Sequence, residues 1–503
     1  TDGDGFPDAH SVFVDGLNIA TSFAIGRGGV YVTNPPYLLF YPDANGDDVP
    51  DGDPEVLLEG FGLEDSHSVI NSLRFGPDGW LYGAQGSTVT AAVKAPGSEQ
   101  EPIRSMGQLI WRYHPERRVY EVFAEGGGNT FGCEIDAVGR VFSGHNGGNT
   151  RGFHYVQGGY YRKGFGKHGP LSNPFTFGFY EQMKHHDVAR FTHNFVLYED
   201  DLLPARFHGQ LLGIEPLQGQ VVLSDVEPNQ TSVATKDIER VLTTDDPWFR
   251  PVDIKCGPDG AVYIADLYEQ RIDHSSHYAG RVDRTTGRIY RVVPAKKRGP
   301  ATASELVSAT DSAKLLKQLE HPTRWHRQTA VRVLGDRPLD VADDIWALLQ
   351  QESGPRALDK LWALHAANGL TEQRALQLLS HPQATVRAWT VRILCDAVQE
   401  LSPAVADALV KLSRLEGYPE VRLQLAASSR RLPAKQAIPM IAMLLTHEED
   451  AGDIFIPLMI WWSVESHVDA LKPSELLALL IPESRLWDSP FVQQRILELL
   501  MRR

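Results

Sequence analysis

The sequence predicts a multidomain β plus α protein: a β-propeller of the six-bladed type, its first blade missing, followed by an α-helical solenoid of the HEAT or armadillo type. Three observations predict this architecture. A strand–turn–strand phrase recurs in the first half, a proline-led helical phrase recurs in the second, and the composition changes sharply near residue 295. We expect the propeller over residues 1–294, a linker over 295–310 and helical repeats over 311–503. A chain of this length can form two or more cores.

The propeller prediction rests on a repeated hairpin. Gly-Pro-Asp-Gly followed by an alternating strand with an aromatic end occurs at Phe75–Tyr82 and Cys256–Tyr263, with looser copies at Ile135–Phe142 and Ala24–Tyr31. Asp-Gly supplies the positive φ of a two-residue turn, and the flanking residues alternate as they do in a half-buried strand. The spacing between Gly139 and Gly260 is about twice that between the other hairpin glycines, and a diverged copy over 210–223 lies within it. A hairpin recurring at this distance is typical of propeller blades.

The copies of this phrase imply five blades, and residues 287–293 supply a closing strand. Because the chain opens at Thr1 inside a loop motif, we expect six blades, the first lying ahead of this residue. A closed five-bladed ring is the alternative. An incomplete ring would leave an unpaired strand edge.

The helical prediction rests on three phrases. His321-Pro322, His381-Pro382 and Tyr418-Pro419 each precede a stretch with arginine and apolar residues on one stripe, and a further unit fits around 355–364. Proline at a helix start followed by such a stripe is typical of paired helices that stack in HEAT-like repeats. Such stacks bind proteins or brace a neighbouring domain. We therefore expect any chemistry in the propeller and a protein partner on the helices.

Charge and hydropathy exclude several classes of protein. The chain has 64 acidic and 49 basic residues and a formal charge of −15, which argues against general affinity for nucleic acid or anionic lipid. It contains no transmembrane segment, because no stretch reaches the ~18 apolar residues of a membrane span. The composition suits a secreted or periplasmic protein, with any membrane association made through segments outside this chain. Cys133, Cys256 and Cys395 are far apart and are predicted to be buried free thiols.

Two acidic loops place oxygen-bearing side chains at alternate positions around a glycine. They are Asp43, Asn45, Asp47 and Asp51 in one loop and Asp2, Asp4 and Asp8 in the other. Alternate carboxylates in a tight turn can converge on one hard cation, so these loops predict Ca²⁺. The alternative is a pair of solvated Asx turns between blades.

Polar side chains cluster where propeller loops would line the central channel. They are His67, Asn71, Asn129, His145, His193, Arg250, Asp253, Asp266, Tyr268, Arg271 and His274. Together they would supply a base and a clamp for an anionic ligand. For any single histidine the ordinary alternative is a hydrogen-bonding role in a loop or core. A metal cluster of His67, His145 and His193 lacks ligand spacing within any one element.

Longer phrases resemble a known family. Residues Gly16–Ser22, Pro35–Pro42, Gly60–Asp65, Gly79–Ser87 and Asp246–Asp253 are similar to the membrane-bound dehydrogenases of the PVC haem-binding type. In that family a propeller similar to soluble quinoprotein glucose and sorbosone dehydrogenases precedes HEAT-like repeats, and a cytochrome c domain often follows. No CxxCH occurs in these residues, so this chain has no covalent haem of its own.

The resemblance implies a site. His67 is similar to the quinoprotein base and Arg250 to a cofactor clamp, and both are candidate catalytic residues together with Asp266. Asn71, Asn129, His145 and Arg250 are the candidate ligands of pyrroloquinoline quinone (PQQ). The segment from Asn129 to His145 lacks the arginine and glutamine of the corresponding quinoprotein pattern.

The implied function is oxidation of a sugar or alcohol, in which His67 removes a hydroxyl proton and electrons pass to a cytochrome. Two alternatives stay open. One is a non-catalytic, calcium-stabilised scaffold that binds a glycan or protein. The other is a hydrolase or lyase at the same channel, since propellers host many reactions.

Overall fold

The structure is a computed structural model that describes residues 9–145, 147–164, 169–186, 193–272, 279–283, 285–295, 311–336, 340–397, 400–482 and 484–503. The strands are β1 (Ser22–Gly26), β2 (Gly29–Asn34), β3 (Tyr37–Pro42), β4 (Glu55–Glu59), β5 (Ile70–Phe75), β6 (Leu81–Gln85), β7 (Thr90–Val93), β8 (Ile103–Met106), β9 (Leu109–His114), β10 (Val119–Gly127), β11 (Thr130–Ile135), β12 (Val141–His145), β13 (Phe153–Tyr155), β14 (Tyr160–Lys163), β15 (Lys184–His186), β16 (Phe195–Tyr198), β17 (Gln210–Glu215), β18 (Gln220–Asn229), β19 (Ser232–Thr243), β20 (Pro251–Cys256), β21 (Val262–Asp266) and β22 (Arg288–Val292).

The helices follow the strands, so a sheet-rich half precedes a helical half, as predicted. They are α1 (Ser312–Gln318), α2 (Arg324–Asp336), α3 (Ala342–Gln350), α4 (Ala357–Ala366), α5 (Glu372–Leu378), α6 (Ala384–Ala397), α7 (Pro403–Leu415), α8 (Pro419–Ser429), α9 (Ala434–Leu444), α10 (Ile456–Glu465), α11 (Pro473–Leu480), α12 (Pro490–Val492) and α13 (Glu498–Arg502). Most of the predicted linker lies outside the described residues.

Five sheets follow one another along the first half. Sheet I is β1–β4, sheet II is β5, β6, β9 and β10 with β14, sheet III is β11–β13, sheet IV is β16–β19 with β15, and sheet V is β20–β22. Neighbours in the chain pair antiparallel, while β14 and β15 add in parallel at the edges of their sheets. Strands β7 and β8 form a separate hairpin.

The predicted hairpins join the first and second strands of their sheets. In the β5–β6 turn the amide of Gly76 donates to the carbonyl of Trp80 at 2.8 Å, and Gly79 has a φ of 78°. The equivalent glycines, Gly139 and Gly260, have φ values of 79° and 74°. Glycine adopts this left-handed conformation without the steric cost that a Cβ would bring, which explains its recurrence in the phrase.

Each sheet packs against the next one along the chain. Buried clusters join sheet I to II, II to III, III to IV and IV to V. Phe142 of sheet III, for example, packs with Phe195 and Leu211 of sheet IV. Face-to-face packing of consecutive antiparallel sheets is typical of propeller blades. The number of blades and the closure of a ring stay predictions.

The helices form two layers. Helices α2, α4, α6, α8 and α10 pack side by side in one layer, and α5, α7, α9 and α11 pack in a second. Local sequence sets several helix starts: the Ser402 hydroxyl accepts the amide of Val405, and Pro403 occupies the first helical position of α7. A regular solenoid stays a prediction.

Three arginines occupy the same position, the fourth residue, of α2, α6 and α8, and Lys360 occupies it in the intervening α4. Arg387 donates to the carbonyls of His381 and Pro382 at 2.7 and 3.1 Å and to both carboxylate oxygens of Glu416. The corresponding bonds are those of Arg327 with His321, Pro322 and Asp359 and those of Arg422 with Glu416 and Asp450. Each arginine thus ties the loop before its helix to the next helix pair, which explains why arginine recurs in the phrase.

The layer of even-numbered helices packs against the hairpin turns of the sheets. The indole of Trp389 donates to the carbonyl of Val138 at 2.7 Å, and Nε2 of His326 lies 2.9 Å from the carbonyl oxygen of Pro258. One buried cluster includes Tyr82 of sheet II together with Val421 and Trp462 of the helices. The two halves therefore share one core, and the helices brace the sheets.

Two of the three cysteines match the prediction of buried free thiols. Cys133 and Cys395 are buried free thiols, and Cys256 is half-buried and also unpaired. Burial raises the pKa of the Cys133 thiol to about 12, so this group is inert near neutral pH. Within the described ranges, every helix is too short or too polar to cross a membrane.

Candidate functional site

The first strands of the five sheets line one large cavity. Strands β1, β5, β11, β16 and β20, with the residues that lead into them, bound about 1290 Å³, and we call this space the channel. Its polar lining is Ser11, Thr21, Ser22, Asp48, Ser66, His67, Asn71, Ser72, His193, Asn194, Asp253 and Lys255. Its apolar lining includes Phe13, Val14, Leu17, Phe23, Ile25 and Phe131. A large cavity with an apolar wall and a few convergent polar groups is typical of a ligand site.

Hydrogen bonds between neighbouring first strands fix the channel wall. The Ser22 hydroxyl accepts the amide of Leu73 at 2.8 Å, joining sheets I and II. The Ser72 hydroxyl accepts the amide of Gly132 at 3.0 Å, joining sheets II and III. The side-chain amide of Asn194 donates to Oδ1 of Asp253 at 2.6 Å, joining sheets IV and V. We call Ser22, Ser72, Gly132, Asn194 and Asp253 the inner belt.

Bulges position the inner belt. The pairing of β5 with β6 shifts register between Asn71 and Arg74, and Ser72 there has a φ of 59°. The pairing of β11 with β12 shifts between Phe131 and Glu134, and Gly132 has a φ of 84°. A Cβ on Gly132 would lie 2.1 Å from Oδ1 of Asn194, so only glycine fits. Bulges re-aim side chains in this way beside binding sites.

His67 lies on the channel and is exposed. Its amide donates to Oδ1 of Asp65 at 3.1 Å, and its Nδ1 lies 3.8 Å from the same oxygen. The Asp65 carboxylate therefore lies near the imidazole, at a distance beyond that of a hydrogen bond. His67 is the predicted base, and the structure places it where a channel ligand would reach it.

His193 belongs to the channel wall. Its ring stacks on Phe131 with centroids 4.1 Å apart, and its Nδ1 donates to the carbonyl of Val252 at 3.1 Å. Burial lowers its pKa to about 4, so the ring is neutral at pH 7. Asn71, also in the wall, donates to the carbonyl of Val69 at 2.9 Å and accepts from Ser72 at 2.7 Å.

Arg250 and Asp266 lie away from the channel lining. The guanidinium of Arg250 is buried and donates to the carbonyls of Pro216, Pro247, Glu269 and Gln270. Oδ1 of Asp266 accepts the amides of Arg250 and Tyr268 at 2.8 and 2.9 Å. Backbone groups thus engage both Arg250, predicted to clamp a cofactor, and Asp266, predicted to be catalytic, and both residues hold the loop after β21.

Asn129 and His145 are also engaged outside the channel lining. Oδ1 of Asn129 accepts the amide of Ser87 at 2.8 Å. The buried ring of His145 lies against two glycines: a Cβ on Gly128 would meet its Nδ1 at 1.5 Å, and a Cβ on Gly147 its Nε2 at 1.9 Å. Of the predicted site residues, the structure therefore brings His67 and Asn71 to the channel with His193 and Asp253. His274 lies outside the described residues.

The acidic loop after β3 is built from Asx turns. Oδ1 of Asp43 accepts the amide of Gly46 at 2.9 Å, Oδ1 of Asn45 that of Asp47 at 3.1 Å, and Oδ1 of Asp47 that of Val49 at 3.0 Å. Among the described residues, no group of three acidic, histidine or cysteine side chains is placed to hold a metal ion. Asp2, Asp4 and Asp8 lie outside them. Calcium at Asp43, Asn45, Asp47 and Asp51 stays a prediction.

A family comparison covers the whole sheet-rich half. A family described as "Domain of unknown function (DUF7133)" matches residues 1–296. The chain belongs to the DUF7133 family. The DUF7133 match contains all five sheets and the channel, and it ends before α1.

Solved structures are similar to the DUF7133 half at low identity. One is described as an oxidoreductase (glucose dehydrogenase) from Thermus thermophilus, at 16% identity and a TM-score of 0.31, covering 55% of this chain and 97% of that one. Another is a glucose dehydrogenase at 15% and 0.32, covering 57% and 99%. The PQQ-bound aldose sugar dehydrogenase of Streptomyces coelicolor gives 13% and 0.28, covering 56% and 96%. At these scores the similarities assign neither activity nor cofactor. No curated protein matches the chain.

Sequence reasoning missed most of the inner belt. Ser22, Ser72, Gly132 and Asp253 each precede the hairpin glycine of their sheet by the same seven residues, the glycines being Gly29, Gly79, Gly139 and Gly260. The signal was therefore present as a fixed register in the repeat. It was hidden because serine, glycine and aspartate share no common chemistry.

Proposed function

We propose that the DUF7133 half is a sugar- or polyol-binding domain of the dehydrogenase type, with the channel as its ligand site and His67 as its proton acceptor. The observation that carries this proposal is the position of His67 on the channel, beside Asp65. The resemblance of the sequence to quinoprotein dehydrogenases supports the same assignment.

The channel lining suits an uncharged polyhydroxylated ligand. Thr21, Asn71 and Asn194 are neutral and already hydrogen bond within the wall, so each offers a ligand only its remaining hydrogen-bonding capacity. Phe131 and Phe23 offer apolar surface for the C–H faces of a sugar ring. Lys255 lies 3.3 Å from the Asp253 carboxylate, so its charge is largely compensated. The exposed Asp48 adds a further carboxylate to the lining, so an anionic ligand is disfavoured and an uncharged one is compatible with it.

Proton transfer is the step that these residues can perform. An exposed imidazole can accept a proton from a bound hydroxyl when the two heavy atoms approach hydrogen-bonding distance. The nearby Asp65 carboxylate would stabilise the imidazolium that forms. In the proposed reaction a ligand hydroxyl therefore loses its proton to His67.

Oxidation also needs a hydride acceptor, and the resemblance to quinoprotein dehydrogenases implies PQQ in this role. This quinone is polyanionic and needs cationic or amide donors that are free to bind it. Three of the four residues predicted to bind it, Arg250, Asn129 and His145, are engaged with backbone groups or enclosed by glycines. The fourth, Asn71, lies in the channel wall and donates to the carbonyl of Val69. The predicted set as placed does not fit PQQ, and we derive no step through it. Electron transfer to a cytochrome c stays a prediction of the resemblance.

Calorimetry and dye reduction test the proposal together. A panel of aldoses and polyols is titrated into the protein, and dye reduction is followed with and without added PQQ and Ca²⁺. With an added acceptor that supports dye reduction, His67→Ala should abolish the reduction while keeping most of the binding, because only proton transfer is removed. His186→Ala, at an exposed histidine on β15, is the matched control. Failure of every sugar and polyol to bind would remove the proposal.

The second candidate is a scaffold that binds a glycan without oxidising it. The shared core between the two halves favours it, because bracing by helices gives a rigid domain with no need for chemistry. Sugar binding without dye reduction under any condition would select this candidate. Release of a hydrolysed or eliminated product would instead select the hydrolase or lyase alternative.

A further inference from the structure

A second cavity lies at the junction of the two halves. It occupies about 390 Å³ between sheet III and the first turns of α6 and α8, and we call it the junction cavity. Sites for small organic ligands occupy ~300–1,000 Å³ and lie preferentially where structural units meet. The junction cavity meets both conditions, and it is separate from the channel.

The junction cavity has an aromatic wall. Phe123 and Tyr155 contribute from the sheets, and Trp389 and Tyr418 from the helices. The interface beside it is tight: a Cβ on Gly139, whose φ is 79°, would lie 2.2 Å from the indole ring of Trp389. The cavity is therefore not the product of loose docking between the halves.

Three polar side chains in the lining keep hydrogen-bonding capacity. Nε of Arg140 donates to Asp136 at 2.7 Å, and the other donors of this guanidinium bond to nothing else in the described part of the chain. Within the same residues, the carboxylate of Glu420 and the hydroxyl of Thr385 have no hydrogen-bonding partner. A donor, an acceptor and a hydroxyl thus border one aromatic wall.

We propose that the junction cavity binds a small uncharged carbohydrate. Sugar hydroxyls both donate and accept, so one ligand can satisfy Arg140, Glu420 and Thr385 together. The C–H face of a sugar ring can pack on the aromatic wall. Arg140 and Arg392 are paired with Asp136 and Asp78, so the exposed Glu420 carboxylate is the remaining charge of the lining and would repel an anionic ligand.

The ligand would join the two halves. Arg140 and Tyr155 belong to sheet III and its turn, whereas Trp389 and Glu420 belong to α6 and α8. The complete site exists only while the halves are docked. Binding therefore stabilises the docked state by mass action.

Calorimetric titration with cellobiose and maltose tests the proposal on the full chain. Glu420→Gln should weaken binding about tenfold, the usual effect of losing a hydrogen bond to a charged group. Ala388→Phe, which fills the cavity from α6, should abolish this component of binding. The matched control is Glu475→Gln, an exposed carboxylate in the first turn of α11, which should leave binding unchanged.

Further outcomes decide against the inference. It is wrong if neither disaccharide binds, or if both variants bind them as the unaltered chain does. Binding of glycine betaine in place of the sugars would show a site for zwitterions instead. His67→Ala should leave the Glu420-dependent component intact, so failure of the channel proposal and failure of this one are distinguishable.

Discussion

Arg392 of α6 donates to the carboxylate of Asp78 at 3.0 Å. Asp78 belongs to the Gly-Pro-Asp-Gly turn that recurs in the sheets. An arginine of the helical repeat therefore binds a turn residue of the sheet-rich half. Arg112 and Asp396 complete a buried charge network at this point. The Arg112 guanidinium holds the pKa of the Asp396 carboxyl well below its usual range despite burial.

Breaking this pair should loosen the two halves. Arg392→Ala leaves Asp78 buried with one cation fewer, and such losses cost about 3–5 kcal/mol of unfolding free energy. Denaturant unfolding measures the change. Arg118→Ala, which removes an exposed pair with Glu55, should cost less than ~1 kcal/mol. Equal effects of the two substitutions would show that the buried network does not hold the halves together.

The inner belt should be needed for stability. Ser72→Ala leaves the amide of Gly132 without its acceptor, which costs about 1–2 kcal/mol. Gly132→Ala should cost more, because it adds a strained φ and a clash with Asn194. Thermal unfolding ranks the two variants against Ser474→Ala on the exposed side of α11. The reverse order would mean that the belt hydrogen bond matters more than the bulge conformation.

Acidification should destabilise the channel wall. His193 has a pKa of about 4 in the folded chain against an ordinary value of 6.5. The unfolded chain therefore binds the additional proton between these values, and the free energy of unfolding falls as the pH drops from 6.5 towards 4. We expect a loss of about 3 kcal/mol from this residue. His193→Gln should flatten the pH dependence of urea unfolding, and an unchanged slope would assign the effect to other histidines.

Calcium should bind the loop after β3. If Asp43, Asn45, Asp47 and Asp51 rearrange from Asx turns to coordinate the ion, Ca²⁺ raises the melting temperature and a chelator reverses the effect. Asp47→Asn should weaken the response, and Asp343→Asn, an exposed acid of α3, should not. A melting temperature insensitive to Ca²⁺ in the unaltered chain contradicts the prediction.

The fold was predictable where local chemistry decides it. The Asp-Gly hairpins at Gly79 and Gly260 follow from a positive φ that glycine alone adopts cheaply, and the sequence shows it directly. Arginines of the helical phrase, such as Arg387, were visible as a repeat, although their bonds to the preceding loop were not.

The site was less predictable because it depends on distant segments. Arg250 resembled a clamp, yet its acceptors come from residues as far away as Pro216. Only the folded backbone brings those carbonyls together. The shared core between the halves is hidden for the same reason, since Asp78 and Arg392 are far apart in the sequence.

The most direct test of the channel as a sugar site is a crystal structure of the chain soaked with glucose or sorbitol. We expect ordered ligand density in the channel, within hydrogen-bonding distance of His67 and of Asn194. Density confined to other surfaces, or an empty channel at saturating ligand, would contradict the assignment of the channel as a sugar site.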